Sequence, residues 1–230
     1  MNTEPTIAIV ADLIGAPARA TILGALLSGE TLPATELARR CHLTPQTVSA
    51  HLTKLAHGKL IVVQPMGRHR YYRLADPGVA RALEALQVIA PQSPVCSLRE
   101  SDQSRIMRNA RLCYDHLAGR LGVGLTEHLL DRGWLTATER DFHVTATGEL
   151  GLATLGLDLD AAKARRRSFA RQCLDWSERK PHLAGALGAA LASHFFAEGW
   201  IKRVDGSRGI HLTATGKARF NQMFGISLPE

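Results

Sequence analysis

The chain has 230 residues, 45% of them hydrophobic, enough for one large globular domain or two small ones. Its formal charge of +7 suits a polyanionic partner, and the excess divides between the first 98 residues (+3) and the remainder (+4). No apolar run approaches the roughly 20 residues that span a bilayer, and no basic stretch precedes the apolar part of Met1–Leu13, so neither a membrane anchor nor a secretory leader is expected.

In chain order, helices are expected around Ile7–Ile14 and Ala18–Ser28. Glu36–Leu74, ELARRCHLTPQTVSAHLTKLAHGKLIVVQPMGRHRYYRL, then carries the densest signal. Leu37 and Cys41 lie four apart on a short helix, and His42-Leu43 makes a turn. Thr44 is placed to cap the next helix, because its hydroxyl can accept from an otherwise orphan amide. Val48, Leu52 and Leu55 share one helical face. Thr44, Gln46, Thr47, Ser49, His51, Thr53 and Lys54 lie off that stripe, with side chains able to reach base edges or phosphates. Gly58 ends the helix. Leu60–Val63 and His69–Leu74 are β-prone, with Pro65-Met66-Gly67 as the bend and Arg68, His69 and Arg70 at a basic tip. A helix-turn-helix followed by such a hairpin is a winged helix, whose second helix can enter a major groove while the wing follows phosphates. The alternative is a winged helix used only for protein contact.

The run TVSAHLTKLAHGKLIVVQPMGRHRYYRL resembles the recognition helix and wing of ArsR-type bacterial repressors. The likeness is carried by Ser49, His51, Leu52, Leu55, Gly58, Leu60, Val62, Gly67, Arg68, Tyr72 and Leu74. Pro17–Gly29 matches the helix that opens that domain, so the resemblance covers roughly residues 5–90. It implies a cytoplasmic homodimer reading two half-sites of operator DNA, with terminal helices building the dimer. The family's recurrent cysteine metal positions fall here on Pro33, Thr35 and Ala38, which bind no metal. Its last-helix positions offer only Arg81, Glu84 and Gln87. In such a reducing compartment, cysteines 41, 96, 113 and 173, none in a CxxC pair, are expected as thiols.

Beyond the wing, Asp76 is placed to cap a helix beginning at Pro77, with Val79, Leu83, Leu86 and Ala90 as its stripe. Residues 1–90 thus read as a DNA-binding and dimerisation domain, and 91–101 as a proline- and serine-rich linker. Residues 102–230 contain an internal repeat, at about 113–157 and 173–226. Cys113 and Asp115 recur sixty positions on as Cys173 and Asp175. His116-Leu117-Ala118-Gly119 recurs as His182-Leu183-Ala184-Gly185, after a six-residue insertion at 176–181. Gly133-Trp134 recurs as Gly199-Trp200, and Thr145-Ala-Thr-Gly148 as Thr213-Ala-Thr-Gly216. Each copy reads as an amphipathic helix, a Gly-Trp turn, two short strands and the start of another helix. The expected class is therefore mainly α with short β-hairpins (α+β): a winged helix followed by two winged-helix-like repeats. The glycine pairs 119/122 and 185/188 suggest tight helix–helix packing between the repeats, or a ligand channel.

Cys113, Asp115 and His116, with Cys173, Asp175, Trp176 and His182, are the candidate effector-binding residues. They are expected to converge at one cavity with Trp176 as a wall. Thiolate, imidazole and carboxylate together suit a transition metal or metalloid; a thiol beside Arg111 or Arg171 would instead suit a redox sensor. The plain alternative is buried apolar cysteines with capping Asp and His. Lys163–Arg167 is a basic run, read as a solvated face or a contact for phosphates. No cofactor is indicated, the effector (small molecule or ion) is open, and no catalytic fingerprint occurs. The sequence thus points to an effector-responsive repressor. The alternatives are a constitutive or architectural DNA binder whose C-terminal domain serves assembly, and a metal or thiol-redox sensor.

Overall fold

The computed structural model describes residues 4–91 and 97–229. It divides into two compact units, Met1–Glu84 and Ala85–Glu230. The division falls inside a helix, ahead of the expected boundary at residue 90. The expected linker lies partly outside the described residues, and by Leu98 the chain is already helical.

The first unit runs α1 (Ile7–Gly15), α2 (Pro17–Leu26), β1 (Leu32–Pro33), α3 (Ala34–Cys41), α4 (Pro45–His57), β2 (Ile61–Met66) and β3 (His69–Leu74), and it ends within α5 (Pro77–Ile89). Its core is the stripe visible in the sequence: Ile22, Leu23, Leu26, Leu37, Val48, Leu52, Leu55, Ile61 and Leu74 are all at most 2% exposed. Burying each such side chain stabilises by about 1.5–3 kcal/mol. Arg19 is buried beside it because its guanidinium donates to the Leu13 and Asp12 carbonyls, closing the last turn of α1.

The turn between α3 and α4 is made by His42 in the left-handed region (φ 52°). Thr44 caps α4, its Oγ1 accepting from the Thr47 amide at 3.2 Å. Asp76 caps α5 by accepting from the Gly78 and Val79 amides. Gly58 does close α4, yet with an ordinary φ of −74°; the left-handed residue is Lys59 (φ 58°). A Cβ at 58 would meet the end of the Leu13 side chain, which would have to turn aside.

The three-stranded sheet has the order β1-β3-β2, antiparallel throughout. Pro65 and Met66 do not form the bend, as the sequence suggested. They pair with Arg70 and His69, and the turn is Gly67-Arg68. Proline is tolerated there because β2 is an edge strand, whose outward amides have no ladder partner to lose.

The second unit continues with α6 (Leu98–Asn109) and then shows one order of elements twice. The first pass is β4 (Arg111–Cys113), β5 (His116–Ala118), α7 (Gly119–Asp131), β6 (Leu135–Ala137), β7 (Phe142–Val144) and α8 (Ala146–Thr154). After α9 (Leu159–Lys163) come β8 (Arg171–Leu174), β9 (Pro181–Ala184), α10 (Gly185–Ala197), β10 (Ile201–Arg203), β11 (Ile210–Leu212) and α11 (Ala214–Phe224). The expected Thr-x-x-Gly helix starts are present: Thr145 and Thr213 accept from the Gly148 and Gly216 amides at 3.0 and 2.9 Å. The same hydroxyls donate to the carbonyls of Gly133 and Gly199, locking each helix onto its Gly-Trp turn.

One expectation is corrected. His-Leu-Ala-Gly is not helical: 116–118 and 182–184 are strands, and Gly119 (φ 74°) and Gly185 (φ 84°) turn each strand into its helix through left-handed backbone. Gly122 and Gly188 do not mediate helix–helix packing. A Cβ on either would strike the carbonyl of Leu117 or Leu183 on its own preceding strand.

The two passes interlock reciprocally. The Leu112 amide donates to the Arg208 carbonyl and the Ile210 amide to that of Ala110. The Phe142 amide donates to the Ala170 carbonyl and the Gln172 amide to that of Arg140. Each entry hairpin thus lies against the wing-like hairpin of the other pass. One continuous core, from Leu112 and Leu121 through Leu187 and Phe195 to Phe220, fills the space between.

Candidate functional sites

In the first unit, α4 turns Val48, Leu52 and Leu55 inward and leaves Thr44, Gln46, Ser49, Thr53 and Lys54 exposed. Thr47 and His51 are half-buried. The Thr47 hydroxyl is tied to that of Thr44 at 2.8 Å, and Thr53 donates back to the Ser49 carbonyl. Gln46 and Ser49 therefore offer the more available polar groups. Arg68, His69 and Arg70 are all exposed on the hairpin formed by β2 and β3. A polar helix face beside a basic wing is the arrangement that meets base edges and phosphates.

In the second unit, register brings the candidate effector residues together. Cys113 and His116 are cross-strand partners in the hairpin of β4 and β5, as Cys173 and His182 are in that of β8 and β9. One ligand atom from each of the four lies within 4.8 Å of all the others. The sulfurs of Cys113 and Cys173 are 3.7 Å apart and not joined in a disulfide, and the two imidazoles stack at 5.1 Å between centroids. Gly188 makes room for this: a Cβ there would approach that of His116 to 3.1 Å. Cys113, His116 and His182 are buried, and Cys173 is half-buried.

The carboxylates flank this quartet. Asp115 lies 3.2 Å from Nδ1 of His116 and accepts from Arg167 at 2.5 Å. Asp175 is fully buried, 3.6 Å from Nδ1 of His182, and accepts from Arg111 at 2.8 Å and from the Gly119 amide at 2.7 Å. Its other oxygen accepts from Ser177 and the Glu178 amide. Each half thus has an Arg–Asp–His order ending at the cysteines. Burial pushes both carboxyl pKa values up. Neighbouring positive groups and hydrogen bonds reverse this, leaving both below the usual range: His116 and Arg167 for Asp115, Arg111 and the donors above for Asp175. The hydrogen bond from Cys113 leads in lowering the Cys173 thiol pKa against its burial; burial lowers that of His182.

Trp176 is not placed as a cavity wall. Its ring covers the Arg111 guanidinium at 4.2 Å, sealing the buried ion pair. An open cleft of about 350 Å³ lies elsewhere, along Arg120, Glu127, His128 and Phe224, and none of the seven candidate residues lines it. Two residues of the site went unassigned in the sequence. Arg167 belongs to a basic run that reads as solvated, and Arg111 reads as a neighbour of the thiol rather than the partner of Asp175.

Among the described residues no single helix is long and apolar enough to cross a membrane; α1 and α2 pass only as a pair bent by 91°. A helix-turn-helix domain model matches residues 14–64. The uncharacterized HTH-type transcriptional regulator YdfF of Bacillus subtilis is 44% identical over 225 residues, 98% of this chain and all of that protein. The HTH-type transcriptional regulator CmtR of Mycobacterium tuberculosis is 40% identical over 87 residues, 37% of this chain and 73% of that protein. Among solved structures, a possible transcriptional regulatory protein (fragment 1–100) from Mycobacterium bovis aligns with 30% identity and a TM-score of 0.35, over 37% of this chain and 91% of that one. With its recognition-helix and wing residues set on the elements they require, the chain belongs to the HTH-type transcriptional regulators and carries a DNA-binding helix-turn-helix domain.

Proposed function

We propose that this regulator is a repressor that binds operator DNA as a cytoplasmic homodimer and releases it when its second unit responds to an effector. The observation that carries the DNA half is the exposed polar face of α4 together with the exposed basic tip Arg68-His69-Arg70. Thr44, Gln46, Thr47, Ser49, His51, Thr53 and Lys54 are the helix residues assigned to the duplex. Dimer formation is supported by α1, which buries none of its residues and exposes Ile7 (79%), Ile9 (63%) and Val10 (40%). The second unit, with its two interlocked passes and buried Cys/His quartet, is the sensing module. An effector that favours the DNA-incompetent dimer must lower DNA affinity by the same coupling factor. No catalytic motif assigns the chain an enzymatic step.

The test is fluorescence anisotropy with DNA from upstream of the protein's own gene, against unrelated DNA of equal length. A specific complex is expected to be at least about 10³-fold tighter than the non-specific one at physiological salt. Equal affinity for both DNAs would leave an architectural binder instead of a repressor.

A further inference from the structure

We propose that Cys113, His116, Cys173 and His182 form a closed tetrahedral site for one thiophilic divalent transition-metal ion of the zinc type, shared between the two halves of the second unit. The inference goes beyond the repressor reading and does not depend on it, since all four ligands lie outside the winged helix.

Geometry argues first. The sulfurs are 3.7 Å apart, far beyond the roughly 2.05 Å of a disulfide. Two thiolates about 2.3 Å from a tetrahedral ion stand about 3.8 Å from each other, so little movement is needed to admit one. All four ligand atoms already lie within 4.8 Å of one another. His182 supplies an independent pointer. It is fully buried, and neither ring nitrogen has a hydrogen-bond partner. A buried polar group left so is costly, and a metal bond satisfies it.

The surroundings complete the site. Asp115 and Asp175 face Nδ1 of the two histidines, which leaves each Nε2 to the ion. A carboxylate behind a ligating imidazole fixes its tautomer and orientation. Arg167 and Arg111 in turn anchor those carboxylates. Charge balances: two thiolates offset a dication, and each Asp is offset by its Arg. An ion can therefore be buried there without leaving net charge in the core. Two sulfur and two nitrogen donors within 4.8 Å of one another suit zinc over harder cations. Four protein ligands leave no open coordination position, which suits a structural or regulatory ion rather than a catalytic one. Each hairpin contributes one Cys and one His, so the ion would cross-link the two passes.

The test uses the full chain purified with reductant and without chelator. Elemental analysis is expected to find about one zinc per chain. Exchange for cobalt(II) is expected to give intense visible bands of tetrahedral cobalt and a near-ultraviolet thiolate charge-transfer band, saturating at one equivalent. Cys113→Ser and Cys173→Ser should each abolish the charge-transfer pattern of the two-thiolate site. Should these variants fail to fold, Asp115→Asn keeps all four ligands and should weaken retention against a competing chelator by about 10–100-fold. Protein that holds no zinc and gives only the pale spectrum of octahedral cobalt overturns the proposal. So does an unchanged cobalt spectrum in both serine variants, or a Cys113–Cys173 disulfide in place of metal. Operator binding on the same sample separates the two readings. Metal without operator recognition overturns the repressor alone; operator recognition without metal overturns the site alone.

Discussion

Arg111 and Asp175, 64 residues apart, form an ion pair at 2.8 Å in which both side chains are at most 1% exposed. It joins the entry hairpin of one pass to the hairpin loop of the other, under the lid of Trp176. Removing either partner leaves an uncompensated buried charge, which typically costs about 3–5 kcal/mol. Arg111→Met is therefore expected to lower the urea midpoint of the second unit strongly. Asp175→Asn should do the same, whereas replacing both should cost less than the sum of the single changes.

The pair also sets an acid limit. The folded Asp175 pKa lies below its unfolded value, despite burial, because of Arg111 and the hydrogen bonds. Its stabilising contribution is fully present above the unfolded value, about pH 4, and is lost as pH falls from there through the folded pKa. Denaturation profiles between neutral pH and pH 2–3 should show a steep acid loss of stability that is shallower in Asp175→Asn. Identical slopes would mean that the carboxylate is not ionised in the folded protein.

On α4, Gln46 is exposed and free of the hydroxyl pair that ties Thr47 to Thr44. Gln46→Ala should cost about 1–3 kcal/mol of operator affinity and relax discrimination at one or two base pairs per half-site. Thr47→Ala keeps the backbone amide that Thr44 caps and loses only the hydroxyl contact with Thr44, so a small part of its effect should appear in thermal stability. If neither variant changes operator binding by anisotropy, this helix does not read bases.

On the wing, Arg68 and Arg70 are exposed at the tip of the hairpin. Contacts to phosphate carry no sequence information, so Arg68→Ala with Arg70→Ala should weaken all DNA sequences similarly. The slope of log K against log salt should shrink by about 0.9 for each lost contact. An unchanged slope would place the wing away from the duplex.

How much of this was legible depended on range in sequence. The helix-turn-helix, the Thr44 cap and the Asp76 cap rest on residues three or four apart, where periodicity and capping chemistry act directly. The bend at Pro65-Met66 was misplaced because proline signals a turn locally, whereas an edge strand accepts it. The stretch 116–118 reads as helical because short apolar runs do not distinguish strand from helix, and the left-handed backbone of Gly119 leaves no mark beyond the glycine itself. The repeated Cys, Asp and His could be matched by eye, yet Arg111 to Asp175 and Arg167 to Asp115 connect residues 64 and 52 apart. Neither pairing has a local signature. Their roles became visible only when the hairpins were brought face to face.

The dimer reading makes the last demand. α1 buries none of its residues fully: Leu13 and Ile14 are half-buried, Ile7, Ile9 and Val10 are exposed, and Ile7 keeps 79% of its surface. Among the described residues nothing covers that apolar surface, whose burial is worth about 25 cal/mol per Å². A second copy burying it would gain the stabilisation and set two recognition helices at a fixed half-site spacing. Ile7→Lys with Ile9→Lys should leave the fold of the first unit intact, since neither side chain contributes to its core. It should shift the protein towards monomer in sedimentation velocity and weaken operator binding more than binding to a single half-site. A double variant that remains dimeric at the same protein concentration would assign the interface to another surface.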